Sequence, residues 1–143
     1  MKKFLLVNFI VAMASAVCLS FVPAKTEQPT LEASIKRGEI VFKAYCLACH
    51  QANAAGVPNL YPPLIKNTYV LGEKKALITI ILKGLMGEIE VNGATYNGMM
   101  PPHNFLNDQQ VADVLTYVRN SFGNKAALIK PAEVKPVRVK LKL

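Results

Sequence analysis

The sequence has no tryptophan and few aromatic residues, which make up 8% of its 143 residues. A core with so few large side chains is hard to fill, and a large bound group would help to complete it. Cysteine and histidine are also scarce, at three and two residues. A chain of this length buries enough surface for one stable core without disulfides, so a two-domain organisation is not expected.

Acidic residues are lacking near the carboxyl terminus. Residues 124–143 hold six Lys or Arg against one Glu, whereas residues 32–123 hold eight against seven, so the latter part is nearly neutral. We expect no nucleic-acid partner. Because residues 124–143 contain Pro131 and Pro136 and show no helical periodicity, we predict a basic flexible tail there. Its charges would steer an acidic partner protein or rest on anionic lipid head groups, unless the tail is simply solvated.

The amino-terminal segment contains the longest apolar run. Lys2 and Lys3 precede residues 4–22, which are almost wholly apolar and typical of an export signal. Residues 1–24 are therefore interpreted as a signal peptide, or as an uncleaved membrane anchor, because about 20 apolar residues span a bilayer. Cys18, inside the run, is interpreted as apolar filler. Residues 25–33 are predicted to be a linker, and the protein is expected in the periplasm, soluble or anchored to the inner membrane.

The sequence Cys-Leu-Ala-Cys-His at residues 46–50 is the C-x-x-C-H attachment motif of c-type haem. The thiols of Cys46 and Cys49 can each add to one porphyrin vinyl group, and His50 then lies where its imidazole can ligate the iron. A half zinc site would need two further soft ligands, but outside the leader there is no other Cys and the only other His is His103. A redox dithiol would need a βαβ context, whereas the surrounding periodicity is helical, and a structural disulfide would leave the adjacent His unexplained. We predict one covalently bound haem c with its iron.

The sixth iron position is the next question, and candidates lie in the Gly- and Pro-rich sequence Gly-Met-Met-Pro-Pro-His at residues 98–103. The chain from about residue 34 to 123 here resembles class I cytochromes c, in which the axial Met commonly precedes a Pro. The resemblance implies Met100 as the axial ligand, with Met99 packing nearby. Met99 and His103 remain alternatives, and His103 is otherwise expected to be a solvent-facing loop residue. A thioether ligand favours ferrous iron and raises the reduction potential.

Helical periodicity is present in three segments, residues 34–44, 73–83 and 108–122. Class I cytochromes c cross their first and last helices, with Gly and an aromatic on one meeting an apolar residue and an aromatic on the other. Four residues match this pattern: Gly38, Phe42, Val114 and Tyr117. A Gly lets backbones approach and aromatics fill the space beside it, although two unrelated amphipathic helices could also show such residues. The predicted fold class is all-α, a cytochrome c fold with three main helices and loops wrapped around one haem.

Three local patterns refine this expectation. Asn107 and Gln110 resemble a capping box at the start of the last helix. Residues 84–93 suit a short turn or hairpin, and strand content should be minimal. The Tyr-Pro-Pro-Leu sequence around Pro62 and Pro63 resembles the family loop whose backbone carbonyl accepts a hydrogen bond from the ligating His. Whether Pro62 or Pro63 supplies it, or both only stiffen the loop, stays open.

The function expected from these patterns is single-electron transfer by a monohaem c-type cytochrome that is not an enzyme. Residues 96–101 and 107–113 look like the haem domains that accompany membrane-bound dehydrogenases, nitrite reductases and oxidases. The resemblance implies a free periplasmic carrier or the cytochrome component of a larger complex, with a periplasmic or membrane-bound oxidoreductase as partner. Membrane surface contact would run through the leader or the basic tail. The alternatives are a ligand-binding haem protein with an open sixth position, such as a gas sensor or a peroxidase-like enzyme, and a haem-free structural or redox-dithiol protein.

Overall fold

The computed structural model describes residues 30–143. The predicted signal peptide or anchor at residues 1–24, the leader cysteine Cys18 and the linker up to residue 29 lie outside the described residues. In the part of the chain that the structure describes, no helix is long and apolar enough to cross a membrane.

Helices dominate the described part of the chain, with one small sheet. The helices are α1 (Leu31–Tyr45), α2 (Leu47–His50), α3 (Thr68–Leu71), α4 (Lys74–Lys83), α5 (Asp108–Asn120) and α6 (Pro131–Leu141). Two short antiparallel strands form a hairpin, β1 (Ile89–Val91) and β2 (Ala94–Tyr96). The predictions of an all-α fold, of little strand and of a turn or hairpin over residues 84–93 are confirmed.

The predicted helices are all present, with small shifts at their ends. The prediction of a linker was wrong for residues 31–33, because α1 already begins at Leu31, where the Thr30 hydroxyl accepts a hydrogen bond from the first turn and caps the helix. α4 begins one residue later than predicted, since Glu73 is its N-cap. At α5 the capping box of Asn107 and Gln110 is present as predicted.

α1 and α5 cross at close range. Gly38 lies directly on α5, where an added Cβ would overlap the Asp113 carbonyl and come 2.7 Å from the Cβ of Tyr117. Phe42 is 1% exposed, and its ring centroid is 5.4 Å from that of Tyr117. Val114 is buried in the same core. The predicted crossing of the first and last haem-domain helices is confirmed, and it depends on a residue without a side chain.

A buried carboxylate, Asp113, locks this crossing. It is 2% exposed and accepts hydrogen bonds from Ser34 Oγ at 2.6 Å, from Arg37 Nε at 2.7 Å and Nη2 at 2.9 Å, and from Gln109 Nε2 at 3.0 Å. Arg37 of α1 therefore reaches across to α5. A buried charge needs partners of this kind, and here they join two helices that are far apart in sequence.

Residues 124–143 are not a flexible tail, and that prediction was wrong. The segment packs on the core through buried Ile129, Val134 and Val137, and α6 contacts both α4 and α5. The two valines stand three residues apart on one helical face, which is enough to bury a short stripe. Lysines and prolines surround these two valines, so the local sequence shows no helical periodicity.

The two prolines of this segment are compatible with the helix. Pro131 occupies the first turn, where a missing N–H leaves no hydrogen bond unmade. Pro136 lies inside α6 and is exposed to solvent. Because proline in a helix interior costs a hydrogen bond, α6 owes its stability to packing more than to intrinsic helix propensity.

Polar contacts join the same segment to α5. The Thr116 hydroxyl accepts from Ile129 N at 2.9 Å and contacts Ile129 O at 3.3 Å. Arg119, only 4% exposed, donates to Val70 O at 2.6 Å and to Ala127 O at 3.2 Å. The carboxyl-terminal segment therefore supplies partners for polar groups that would otherwise be buried without them.

Candidate functional site

A largely apolar cleft opens at the centre of the described structure. It encloses about 1060 Å³ of empty space, part of which is open to solvent. Apolar side chains from α1, α3, α4 and α5 form much of its wall, among them Phe42, Val70, Leu77, Ile81, Leu115 and Val118. The cleft also brings together the sequence-predicted site residues and their alternatives, Cys46, Cys49, His50, Met99, Met100 and His103. Residues that are far apart in sequence thus line one cavity.

His50 is the last residue of the one-turn helix α2, and a hydrogen bond orients its imidazole ring. Nδ1 of its ring is 3.2 Å from the carbonyl oxygen of Pro62, so a proton on Nδ1 is donated to that oxygen. The carbonyl of Pro63 is taken instead by Asn67 Nδ2 at 2.7 Å. The structure therefore selects Pro62 from the two prolines that the sequence left open. Such a bond fixes the ring and leaves Nε2 with its lone pair.

Burial also affects the protonation of the His50 imidazole. Desolvation lowers the pKa of His50, although the hydrogen bond to Pro62 acts in the opposite direction. A lowered pKa keeps the ring neutral near pH 7, which is the protonation state that can bind a metal.

The two motif cysteines are free thiols. Burial, with a smaller contribution from Cys49, raises the pKa of Cys46 to about 11. Redox dithiols carry a cysteine whose pKa is lowered, because the thiolate is the nucleophile. The environment of Cys46 is the opposite, so it does not favour a redox dithiol.

The backbone of Met100 is held by an isolated bridge to Leu85. Each residue donates its N–H to the carbonyl of the other, both at 2.9 Å. Met100 packs partly buried against the core, whereas Met99 is 61% exposed. Of the two methionines, Met100 is therefore the more buried.

His103 is not the solvent-facing loop residue that was predicted. It is 8% exposed, and its backbone N–H donates to Ile81 O at 2.9 Å. Its ring lies beside that of Phe105, and within residues 30–143 its buried Nδ1 has no hydrogen-bond partner. The hydrogen bond from its backbone to α4 holds the ring on the inside of the loop. The local sequence does not reveal this contact.

Sequence reasoning did not predict the contacts that shape the loop before Met100. Gly98 donates its N–H to Leu60 O at 2.8 Å, and an added Cβ would come 2.8 Å from the ring of Tyr61. Leu85 was likewise not singled out. The only local signal was the presence of Gly98, because the partners of these residues are remote in sequence.

The site fits a haem group. Two free thiols and an oriented imidazole sit beside an apolar cleft with a thioether in its wall. Among the described residues, no three His, Cys, Asp or Glu side chains are grouped to hold a metal ion by themselves. An iron held mainly by its porphyrin would need only two further donors, and the cleft contains an imidazole and a thioether that could supply them.

Comparison with known proteins agrees with this chemistry. The family model described as cytochrome c matches residues 35–122. A cytochrome c-552 of Thermus thermophilus is 38% identical over 106 residues, covering 68% of this chain and 81% of the relative. The cytochrome c subunit of a quinone-dependent alcohol dehydrogenase of Gluconacetobacter polyoxogenes is 30% identical over 115 residues, covering 71% of this chain but 22% of that subunit. The gluconate 2-dehydrogenase cytochrome c subunit of Pantoea cypripedii is 38% identical over 94 residues, covering 62% and 21%.

The family match covers most of the helical body and the cleft, including the C-x-x-C-H motif and the Met100 loop. It agrees with the predicted cytochrome c fold, with haem c as the cofactor and with electron transfer as the function. The chain belongs to the cytochrome c family and is a monohaem electron-transfer protein.

Proposed function

We propose that Cys46 and Cys49 hold the haem through thioether bonds and that His50 and Met100 are its axial ligands. The observation that best supports this is the pinned imidazole of His50 in the same cleft as the partly buried Met100. The bound haem supplies an iron that alternates between two oxidation states. The chain keeps the imidazole neutral and oriented, presents a soft thioether, and excludes water with apolar walls.

Electron transfer without catalysis follows from this ligand set. With an imidazole and a thioether on the iron, no coordination position is open to a substrate, so the chain has no catalytic activity of its own. Of the relatives named above, none is called a gas sensor or a peroxidase, and the ligand-binding alternative gains no support.

A redox protein is the proposed partner. Two of the named relatives are cytochrome subunits of dehydrogenases, which favours a periplasmic or membrane-bound oxidoreductase as donor or acceptor. The export-type leader at residues 1–24 favours the periplasm as the location. Whether the protein works as a free carrier or within a complex depends on that partner.

The ligand assignment is tested by Met100→Ala in protein matured in an export-competent host. Loss of the thioether should lower the reduction potential by on the order of 0.1 V or more, because axial ligands set haem potentials over about 0.8 V. The opened iron should also bind carbon monoxide rapidly when reduced. Potentiometry and carbon monoxide mixing measure both effects.

Two matched variants serve as controls. Met99→Ala and His103→Leu change the two alternative ligands and should leave the potential and the resistance to carbon monoxide near those of the wild type. An unchanged potential in Met100→Ala, or a shift in either control as large as the one expected for Met100→Ala, would reject Met100. Extraction of the pigment into acidified organic solvent would reject the thioether bonds.

A further inference from the structure

Arg138 of α6 joins the carboxyl-terminal helix to the segment that follows Met100. Its Nη1 donates to Asn104 O at 2.8 Å, its Nη2 to Leu106 O at 2.6 Å and its Nε to Asp108 Oδ1 at 2.8 Å. One guanidinium thus binds three alternate residues of the segment 104–108. Arg138 lies outside residues 35–122, the part of the chain that matches the family model.

Leu106 is buried in the core and Asn107 caps α5, but between Met100 and these residues the backbone has few other attachments. Pro101 and Pro102 have no N–H to donate. His103 N donates to Ile81 O, and Leu106 N donates to His103 O within the same turn. Before these residues, Met100 is fixed to Leu85. The loop is therefore pinned to α4 at one end and to α6 at the other.

α6 has its own anchorage, independent of Arg138. Val134 and Val137 are buried in the core, and the carboxylate of Glu133 lies 2.9 Å from Lys74 Nζ on α4. Because α6 is held in place by these contacts, it can restrain a loop that is hydrogen-bonded to it. Charge-assisted bonds from a planar guanidinium are directional, so they restrict where the tied carbonyls can move.

We propose that Arg138 is a positioning residue for Met100: it keeps the distal loop closed so that the thioether stays on the iron. This inference rests on the proposed ligation by Met100 and extends it to a helix outside the family-matched segment. Opening of the loop, and with it departure of the thioether, is a local fluctuation that costs less than global unfolding. Loss of each hydrogen bond from Arg138 lowers the free energy needed to open the loop.

The test is Arg138→Ala in the haem-loaded protein. Carbon monoxide reaches reduced iron only while Met100 is away, so its binding rate reports the open population. We expect binding about tenfold faster than in the wild type, since about 1.4 kcal/mol corresponds to tenfold in an equilibrium. On warming, the red absorption band of methionine-ligated ferric haem should be lost at a lower temperature than the helical signal.

Two further variants make the result specific. Arg138→Lys keeps the charge but not the fork, and it should give a rate between those of wild type and Arg138→Ala. Lys135→Ala removes an exposed positive charge of the same helix and should leave carbon monoxide binding at the wild-type rate.

The outcomes separate the two proposals. An Arg138→Ala protein that binds carbon monoxide at the wild-type rate, or a Lys135→Ala protein that is accelerated as much, would overturn the positioning role. A wild-type protein without the methionine band would overturn the ligand assignment and this inference together. If Arg138→Ala does not mature, the same rate comparison made on Arg138→Lys decides between an accelerated and an unchanged loop.

Discussion

Gly38 decides, at the scale of single residues, whether α1 and α5 can meet. Its missing side chain leaves room for the Asp113 carbonyl and for the Cβ of Tyr117. The Asp113 carbonyl is part of the backbone and the Tyr117 Cβ is bonded directly to it, so neither can move aside by a side-chain rotation. The constraint is steric and lies far from the haem ligands in sequence.

Gly38→Ala should therefore destabilise the protein although alanine is the better helix former. Overpacking of a rigid crossing costs about 1 to 3 kcal/mol or more, which exceeds the helix-propensity gain of about 1 kcal/mol. Denaturant unfolding of the haem-loaded protein measures the difference. Lys36→Ala, an exposed site on the same helix, is the control and should change stability by only a few tenths of a kcal/mol. A Gly38→Ala protein as stable as wild type would contradict the close crossing.

Residues also differ in how well their roles could be predicted. The C-x-x-C-H motif carries its chemistry in five adjacent positions, so the roles of Cys46, Cys49 and His50 could be predicted from spacing alone, and all three line the cleft. The choice of Pro62 over Pro63 could not, because it depends on Asn67 occupying the other carbonyl. The inward turn of His103 depends in the same way on a remote contact, the carbonyl of Ile81.

At the scale of elements, α6 shows how tertiary contacts outweigh local preference. Its prolines and lysines argue against a stable helix, yet its two buried valines and its ties to α4 and α5 hold it in place. Glu133 has a double role there. Its carboxylate accepts from Lys130 N at 2.8 Å and pairs with Lys74.

Acid should loosen α6 through Glu133. Partial burial acts to raise the pKa of Glu133, but the hydrogen bond from Lys130 and the charge of Lys74 outweigh it and lower the pKa. A lowered pKa means that the stabilisation is present above the ordinary glutamate pKa of about 4.3 and is lost as pH falls through the folded value. Amide hydrogen exchange in α6 should therefore become faster, relative to α5, below about pH 4.

Glu133→Gln is the control for that prediction. The amide cannot titrate, so exchange in α6 should be faster than in the wild type near neutral pH and should lose the extra acid dependence. If the variant kept the acid dependence of the wild type, another group would be responsible.

Elements with a full amphipathic stripe were predicted to within a few residues. The spacing of apolar residues gave α1, α4 and α5, and the capping box placed the start of α5. α6 has a stripe of only two buried valines. A pattern so short is indistinguishable from chance until the surface that it covers is known.

At the scale of the whole molecule, charge is distributed unevenly. The formal net charge is +8, and α6 with its following residues exposes Lys135, Lys140 and Lys142. α6 also contacts the segment around Phe105 through Arg138. The Phe105 side chain is 62% exposed, and its ring packs edge-on against that of Tyr45, next to the haem motif. A negatively charged molecule that approaches this side meets a positive field.

The rate of oxidation by an anionic inorganic complex should therefore fall several-fold as ionic strength rises from about 0.01 M to about 0.15 M, since the Debye length shrinks from about 30 Å to about 8 Å. With a cationic complex the trend should reverse. Stopped-flow mixing with the two complexes measures both slopes. A Lys135→Glu/Lys140→Glu protein should show a weaker slope; the same slope in wild type and variant would place the steering charges elsewhere.

α6 also sets a practical boundary for reusing this electron carrier in a chimera. A transplant cut at residue 122, where the family segment stops, would strip Arg119 of its acceptor at Ala127 and uncover the flanks of α4 and α5. The chimera would then expose an apolar surface on α4 and α5 and leave the Arg119 guanidinium partly solvated. Grafting should keep the chain through Leu143 and place the splice there.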